Sequence, residues 1–250
     1  MKNTFKDNVD ITMTATLRPK IFNETLLGIK KYIIGGKDLE RFTLIVNIDR
    51  AGEDVPPKQL IKISKKHFIN VKYNISDSPS FPKAVKWVWS QSTANYIFHI
   101  EDDWRFLKKI DIENMIRILK KHKELSSLRL YKLNTPNRKV FKTFMCKWVY
   151  QEEDGFYLAC DWKKQFGLNP ILIKKEFIDE ALPKMVDNVN PEKQFRDTQE
   201  YMRDIIKKWK YGLYCAPGQT KTVEDIGRIW ANRNKLSKPK KGTFITWEPK

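Results

Sequence analysis

The chain has 250 residues, of which 41% are hydrophobic, 12% aromatic and 31% charged. This composition is typical of a folded globular protein that buries a core without disulfides, and it excludes a largely disordered chain. The sequence contains 48 Lys and Arg against 30 Asp and Glu, a formal net charge of +18. Such a charge attracts phosphorylated ligands, polyanions and anionic membranes at low salt, but it specifies no reaction, and a basic surface also serves solubility alone.

The cysteines and the apolar stretches bear on the compartment. Cys146, Cys160 and Cys215 fit neither a disulfide framework nor a zinc-binding spacing, so we expect a reducing environment. The first residues lack the apolar segment of a signal peptide, and no stretch approaches the roughly 18 consecutive apolar residues of a membrane span. We therefore expect a cytoplasmic protein that is soluble or bound peripherally to a membrane through its basic surface.

Strand-like and helix-like patterns alternate over the first 134 residues. Stretches rich in apolar and β-branched residues predict strands at 11–17, 42–48, 68–75, 96–100 and 128–133. Apolar residues at helical spacing, often with Pro or Gly at the ends, predict helices at 22–33, 58–66, 81–90 and 112–119. This alternation predicts an α/β fold in which helices flank a mostly parallel sheet.

The pattern changes after Asn134. Segments 140–150 and 155–160 are rich in aromatic residues and predict a hairpin or irregular strands, and a last strand is expected near 213–216. Helices are predicted from 175 to about 186 and from Asn190-Pro191 onwards, the latter with a buried stripe formed by Phe195, Met202, Ile205, Ile206 and Trp209. We expect one domain over 1–250, with halves at 1–134 and 135–227 and a basic tail at 228–250.

The sequence YIFHIEDDW, residues 96–104, carries the main chemical signal. A buried strand runs directly into Glu101, Asp102 and Asp103. Three adjacent carboxylates repel one another and are costly to bury unpaired, so a positive group must lie against them. Ligands of open α/β sheets bind just beyond the carboxyl ends of strands. We predict a Mn²⁺ or Mg²⁺ ion there, completed by phosphate oxygens of a ligand, although a solvated turn is the simpler alternative.

IFHIEDDW resembles the DxD-type strand end of glycosyltransferases with the GT-A fold. Matching segments occur in the same order, with TATLRP at 14–19, FGLNP at 166–170 and VEDIGR at 223–228. Each motif is degenerate alone, and the resemblance rests on their order over about residues 9–235. It implies a Rossmann-like sheet with an aromatic-rich acceptor half at 135–227. It also implies an inverting, metal-dependent transfer of a sugar from a nucleoside diphosphate, UDP favoured, to a hydroxyl of a glycan or glycolipid.

The resemblance assigns residues to the donor. Asp103 would bind the metal, and Asp225 would be a second ligand although relatives often have His at that place. The residues implied to bind the donor are Thr14, Thr16, Arg18, Asp49, Lys83, Glu101, Asp102 and Arg228, with Lys235 a further candidate for closing over the diphosphate. Each has a plain structural alternative, such as a surface ion pair for Arg18, a turn for Asp49, a helix start for Lys83 and a loop acid for Asp225.

An inverting transfer also needs a base that removes the proton of the acceptor hydroxyl. Glu200 is the first candidate, because it precedes buried positions of a predicted helix placed as in relatives with a catalytic acid there. Asp197 and Glu192 are the other candidates. For each of the three, the alternative is an acidic residue on the solvent-exposed face of a helix with no catalytic role.

Three other functions fit parts of the sequence. The net charge and the Trp-bearing basic tail suggest nucleic-acid binding, but no known RNA- or DNA-binding motif is present and three acids at a sheet edge repel a polyanion, so we do not expect this partner. A nucleotidyltransferase would also use paired carboxylates to hold metal, and it would release pyrophosphate. A non-catalytic, lectin-like relative is the third alternative.

Overall fold

The computed structural model describes residues 7–35, 39–143, 146–160, 166–196, 198–237 and 248–249. Its strands are β1 (Val9–Leu17), β2 (Phe42–Gly52), β3 (Asn70–Ser76), β4 (Tyr96–Glu101), β5 (Trp104–Phe106), β6 (Leu125–Leu130), β7 (Val140–Lys142), β8 (Lys147–Gln151), β9 (Phe156–Ala159), β10 (Ile171–Lys174), β11 (Lys210–Tyr214) and β12 (Val223–Asp225). A short ladder also joins Leu236–Ser237 to Glu248–Pro249.

The α-helices are α1 (Pro19–Ile29), α2 (Lys58–His67), α3 (Phe81–Ser90), α4 (Ile112–Lys121), α5 (Lys175–Ala181), α6 (Pro191–Gln194), α7 (Arg203–Lys208) and α8 (Gly227–Arg233). A π-helical segment, Lys30–Ile34, extends α1 and ends at Gly35, whose φ is +64°. Single 3₁₀ turns cover Leu39–Arg41, Leu182–Lys184 and Glu200–Met202. In the described part of the chain, no helix is both long enough and apolar enough to cross a membrane.

A ten-stranded sheet organises the described residues, in the order β3-β2-β1-β4-β10-β6-β11-β9-β8-β7. The first four strands are parallel, as the strand–helix alternation predicts. β10 enters antiparallel between β4 and β6, β11 is parallel to β6, and β9, β8 and β7 form an antiparallel meander. Only β10, β9 and β7 of these ten strands oppose the common direction, which confirms the predicted mostly parallel sheet.

Apolar side chains are buried on both faces of the sheet. On one face, Ile11 and Met13 of β1 belong to the core that contains Phe22 and Leu26 of α1. On the other, Ile97 of β4 belongs to the core that contains Trp89 and Phe177 from α3 and α5. A third cluster, including Trp148 and Tyr157, lies on the meander. Helices therefore flank the sheet on both sides. β2 and β4 read as nearly continuous apolar runs because both their faces are covered, whereas β1 alternates apolar residues with the buried Asp10 and three buried threonines.

Three elements differ from the sequence prediction. The last strand, expected near 213–216, lies at Lys210–Tyr214 and is followed by β12. The strand predicted at 128–133 lies at Leu125–Leu130, and Leu133 is exposed. The long helix predicted from Asn190 is broken into α6, a 3₁₀ turn and α7, although its stripe is buried as predicted. The buried amide of Gln194 bonds Val186 and Val189 and so ties α6 to the preceding loop.

Candidate functional site

The predicted donor residues meet where three parallel strands end. The registers place Thr14 of β1 beside Glu101 of β4 and Thr16 beside Asp49 of β2. The backbone N–H of Asp102 donates to the carbonyl of Thr14 at 3.1 Å and extends the pairing past β4. The structure thus brings together at one sheet edge residues that lie far apart along the sequence.

The guanidinium of Arg18 lies against two of the three acids. Its Nη2 donates to Oδ1 of Asp102 and, at 3.1 Å, to Oδ2 of Asp103. The side chains of Arg18 and Asp102 are each 3% exposed, and the N–H of Thr16 donates to the other oxygen of Asp102 at 3.2 Å. Burial opposes the charge of Arg18, but the two carboxylates outweigh it and raise the pKa of Arg18 above its usual value. The positive group that the acid cluster requires is therefore Arg18 in this structure.

The turn formed by the acids is fixed from two sides. The hydroxyl of Thr25 in α1 donates to the carbonyl of Asp102 at 2.7 Å, and the N–H of Ile226 donates to the carbonyl of Asp103 at 2.9 Å. β5 pairs antiparallel with β12, so that Asp225 lies opposite Trp104. The two sequence motifs thought to carry the metal ligands, EDD and VEDIGR, are thus neighbours in space.

Helix α8 covers this turn. A Cβ on Gly227 would lie 2.1 Å from Oδ2 of Asp103, so no side chain fits between them. The ring of Trp230 lies 5.4 Å from the Cζ of Arg18, and its Nε1 donates to Glu53 at 3.0 Å. Thr25, Gly227 and Trp230 were not identified as site residues from the sequence. Gly227 belongs to the VEDIGR motif, and Trp230 lies in the segment from residue 228 that was expected to be a basic tail.

Asp49 is a buried acid, 1% exposed. Its carboxylate accepts from Nδ2 of Asn47 at 2.8 Å and from the N–H of Ser80 at 3.3 Å. Burial raises the pKa of Asp49 to about 6, because these hydrogen bonds only partly offset the loss of water. Lys83 lies in the first turn of α3, three residues after Ser80, and is exposed.

The base candidates lie in the other half of the chain. Glu200 begins the 3₁₀ turn before α7; its side chain is 74% exposed and pairs with Arg203 at 2.9 Å. Glu192 is half-buried, and its Oε1 accepts from the N–H of Leu168 in the FGLNP segment at 2.7 Å. Asp197 lies outside the described residues.

Arg228 and Lys235, the two cations expected to close over the donor, are both exposed. Arg228 belongs to α8, and its Nε lies 3.5 Å from Oδ2 of Asp225. The first residues of the predicted tail therefore form a helix beside the acid turn.

The donor set permits a metal bound together with a phosphate ligand. Within the described ranges, no group of three or more His, Cys, Asp or Glu side chains forms a metal site. Asp103 and Asp225 nevertheless bring carboxylates to adjacent backbone segments. Mg²⁺ is commonly bound through one or two carboxylates, with substrate phosphates and waters completing its shell, and carboxylate and water oxygens also suit Mn²⁺. The two aspartates fit such a shared site.

The sequence matches no family model and no curated protein, whereas solved structures share the fold. A mannosyltransferase from Pyrobaculum calidifontis, solved with GDP-Man and Mn²⁺, aligns with a TM-score of 0.56 at 11% identity over 86% of this chain and 55% of that one. TarS of S. aureus aligns with a TM-score of 0.55 at 12% identity over 85% and 36%. A cytidylyltransferase from Leptospira borgpetersenii gives 0.50 at 11% identity over 92% and 86%.

These identities establish a shared fold and nothing finer. The chain spans about half of the mannosyltransferase and about a third of TarS. The mixed α/β architecture, with helices flanking a large and mostly parallel sheet, agrees with the predicted GT-A-type fold.

Proposed function

We propose that the chain is a glycosyltransferase that moves a sugar, with inversion, from a nucleoside diphosphate donor to a hydroxyl of a glycan or glycolipid. The observation that carries this proposal is the convergence of Arg18, Asp49, the EDD turn and Asp225 at one sheet edge. The shared fold supports it, because the mannosyltransferase was solved with GDP-Man, and a fragment of TarS with UDP and with UDP-GlcNAc. We favour a UDP-sugar as donor.

In this proposal, residues at the ends of different strands contact different parts of the donor. Asp49, Thr14 and Thr16 bind the nucleoside, as their positions at the ends of β2 and β1 permit. Glu101 and Asp102 orient the ribose and the sugar. Arg18, Arg228 and Lys83 supply positive charge for the diphosphate, and Lys235 joins them when the donor is bound.

The metal would be held by Asp103 and Asp225 together with the diphosphate. When bound, Mn²⁺ or Mg²⁺ neutralises the charge that develops on the leaving diphosphate. Arg18 compensates the acids before the donor arrives, because its guanidinium already contacts both Asp102 and Asp103. Asp102 and Asp103 are thus paired with a cation, and Asp225 lies on the neighbouring strand.

Glu200 is the proposed base, and its exposed carboxylate is available to an acceptor hydroxyl. Replacing the carboxylate of Glu200 by an amide should leave the affinity for the donor unchanged. It should reduce the rate of sugar transfer by about 10²–10⁴-fold, the usual contribution of general base catalysis. The measurement is a comparison of Glu200→Gln with Asp204→Asn, an exposed acid of the adjacent helix. Full transfer by Glu200→Gln would assign the base to Asp197 or Glu192.

The donor site is tested by thermal unfolding with UDP, GDP, CMP and dTDP, each with and without Mn²⁺. A ligand that binds only the folded state raises the melting temperature. We expect one nucleotide to do so in the presence of the metal, and Asp103→Ala to remove this effect. Asp77→Ala, an exposed acid whose side chain is 85% exposed, should retain it.

Asp103→Asn provides a second variant, because it keeps the shape of the side chain beside Arg18 if Asp103→Ala folds poorly. An unchanged, metal-dependent nucleotide effect in either folded variant would contradict the site assignment.

A nucleotidyltransferase is the second candidate, since the cytidylyltransferase aligns over most of both chains. The products separate the two activities. A glycosyltransferase releases a nucleoside diphosphate from the sugar donor, whereas a nucleotidyltransferase releases pyrophosphate from a nucleoside triphosphate. Pyrophosphate release from CTP on addition of a sugar would favour the second candidate.

A further inference from the structure

Arg129 lies near the carboxyl end of β6, which is separated from β4 of the candidate site by β10. It belongs to β6 and pairs with Ile171 of β10, which pairs on its other side with His99 of β4. Directly paired residues of neighbouring strands point to the same face, and so do residues two apart on one strand. The side chain of Arg129 therefore shares a face of the sheet with Glu101, two residues beyond His99.

The surroundings of the guanidinium are closely packed. Arg129 is half-buried, and its Cζ lies 5.9 Å from the centroid of the Trp148 ring. A Cβ on Gly167 would lie 2.2 Å from Nη1 of Arg129. The backbone of the FGLNP segment thus lies directly against the guanidinium, at a place where only glycine leaves room for it.

Within the described part of the chain, the charge of Arg129 has no ion-pair partner. Among the residues that the structure describes, none forms a hydrogen bond or a salt bridge with this side chain. Glu192 is the nearest acid to influence it, but its Oε1 accepts from the N–H of Leu168. Burial lowers the pKa of Arg129, because the attraction of Glu192 offsets only part of the lost hydration.

A half-buried, unpaired cation is costly to the folded state, and an anion that binds beside it would offset that cost. We propose that Arg129 binds an oxyanion of the acceptor, a phosphate or a carboxylate. A guanidinium presents two parallel N–H groups, the geometry that suits either group. That the anion belongs to the acceptor rests on the proposed glycosyl transfer; the binding of the anion does not. The inferred acceptor class is an acidic or phosphate-bearing glycan or lipid.

The experiment measures thermal unfolding of the full chain without nucleotide, in chloride buffer at constant ionic strength, with methyl phosphate or acetate as the probe. We expect at least one probe to raise the melting temperature of the wild type, since it binds the folded state. Arg129→Met should lose this rise and, without probe, should melt no lower than the wild type, because an apolar side chain replaces an unpaired charge. Arg117→Met, which removes a surface arginine paired with Asp154, should keep the rise.

Gly167→Ala supplies a second variant that keeps the charge. Its added methyl group occupies the position of the guanidinium, so we expect the effect of the probe to disappear here as well. A rise with methyl phosphate alone identifies a phosphate-bearing acceptor, a rise with acetate alone a carboxylate-bearing one, and a rise with both the shared chemistry.

The proposal is overturned if neither probe stabilises the wild type, or if Arg129→Met and Gly167→Ala retain the full effect. It is also overturned if Arg129→Met melts clearly lower without probe, since Arg129 would then be a structural residue. A rise caused by binding of the probe to the cations of the donor site would persist in Arg129→Met and Gly167→Ala, so the loss of the rise in these variants distinguishes the two sites.

Discussion

Two arginines, one in each half of the ten-stranded sheet, lie beside tryptophan rings but differ in the charges around them. The parallel half of the sheet consists of β3, β2, β1 and β4, and the other half runs from β10 to β7 and contains the meander. Arg18 lies 5.4 Å from the ring of Trp230, and Arg129 lies 5.9 Å from the ring of Trp148. Arg18 contacts the carboxylates of Asp102 and Asp103, whereas Arg129 forms no ion pair within the described part of the chain. The difference is therefore in the partner and not in the cation.

Arg18 therefore stabilises the fold through its ion pairs, whereas Arg129 is the proposed site for an anionic ligand. In the parallel half, two of the three carboxylates of the EDD turn already contact a cation, Arg18, before any ligand binds. In the half that contains the meander, Arg129 forms no salt bridge within the described part of the chain, and the attraction of Glu192 offsets only part of its lost hydration. Stability should depend on Arg18 and not on Arg129, and the two halves should respond differently to pH.

The largest expected effect is that of Arg18→Met. Removing one partner of a buried ion pair leaves carboxylates without a counter-charge and typically costs about 3–5 kcal/mol of unfolding free energy. Urea denaturation at pH 7 measures the loss. Arg50→Met is the matched control, because Arg50 pairs with Asp77 at the surface, where such a pair contributes about 0–1 kcal/mol. Equal losses in the two variants would show that Arg18 does not compensate the acids.

Asp49 should make the wild type less stable as pH rises. Its pKa is about 6 in the folded protein against 3.8 for the free side chain, so the folded state binds the proton more tightly than the unfolded state. The stabilisation that protonated Asp49 gives the folded state is therefore complete below pH 4 and is lost as pH rises to 6. A pKa difference of about two units corresponds to a loss of about 3 kcal/mol of unfolding free energy. Asp49→Asn should abolish this component in urea denaturation between pH 4 and 7.

The control for this experiment is Asp77→Asn, at an exposed acid, which should follow the wild type. If the curves of Asp49→Asn and the wild type ran parallel with pH, Asp49 would have an ordinary pKa. In the proposed function the same residue must be ionised to bind the nucleoside, so nucleotide affinity should fall below pH 6.

Much of the parallel half could be predicted from the sequence. β2 and β4 are apolar runs because both their faces are buried, and the requirement for a positive group at the EDD turn followed from charge alone. Arg18 was identified as a site residue, but for a donor phosphate. An ion pair at the surface was the alternative for Arg18, but its buried pairing with Asp102 and Asp103 could not be foreseen, because that depends on how closely α1 and the end of β4 approach each other in space.

The other half was harder to predict because single side chains decide its course. The apolar stripe from Phe195 to Trp209 predicts one helix, yet the hydrogen bonds of Gln194 to the preceding loop accompany a break after α6. Arg129 is the charged residue of β6, whose other residues are leucines and serines, and that position was the signal in the sequence. That Arg129 forms no ion pair with any described residue became visible once β10 and the FGLNP segment were placed beside it.

The smallest effect concerns Asp154, whose pH dependence should be opposite to that of Asp49. Burial favours its neutral form, but hydrogen bonds from Lys121, His122 and Arg117 outweigh burial and lower the pKa of Asp154 to about 2. The unfolded state then binds the proton more tightly, so the stability that Asp154 contributes is present above pH 4 and is lost as pH falls towards 2. Because these partners are open to solvent, we expect about 1 kcal/mol.

Asp154→Asn should remove this acid-dependent loss, which guanidinium denaturation between pH 2 and 5 would measure. Glu153→Gln is the matched control, since Glu153 also pairs with Lys121 but its side chain is 88% exposed. A wild type that lost no more stability in acid than Asp154→Asn would show that the three cations leave the carboxylate unperturbed. The sign of the pH dependence would then no longer distinguish the two halves, and the contrast would rest on Arg18 and Arg129 alone.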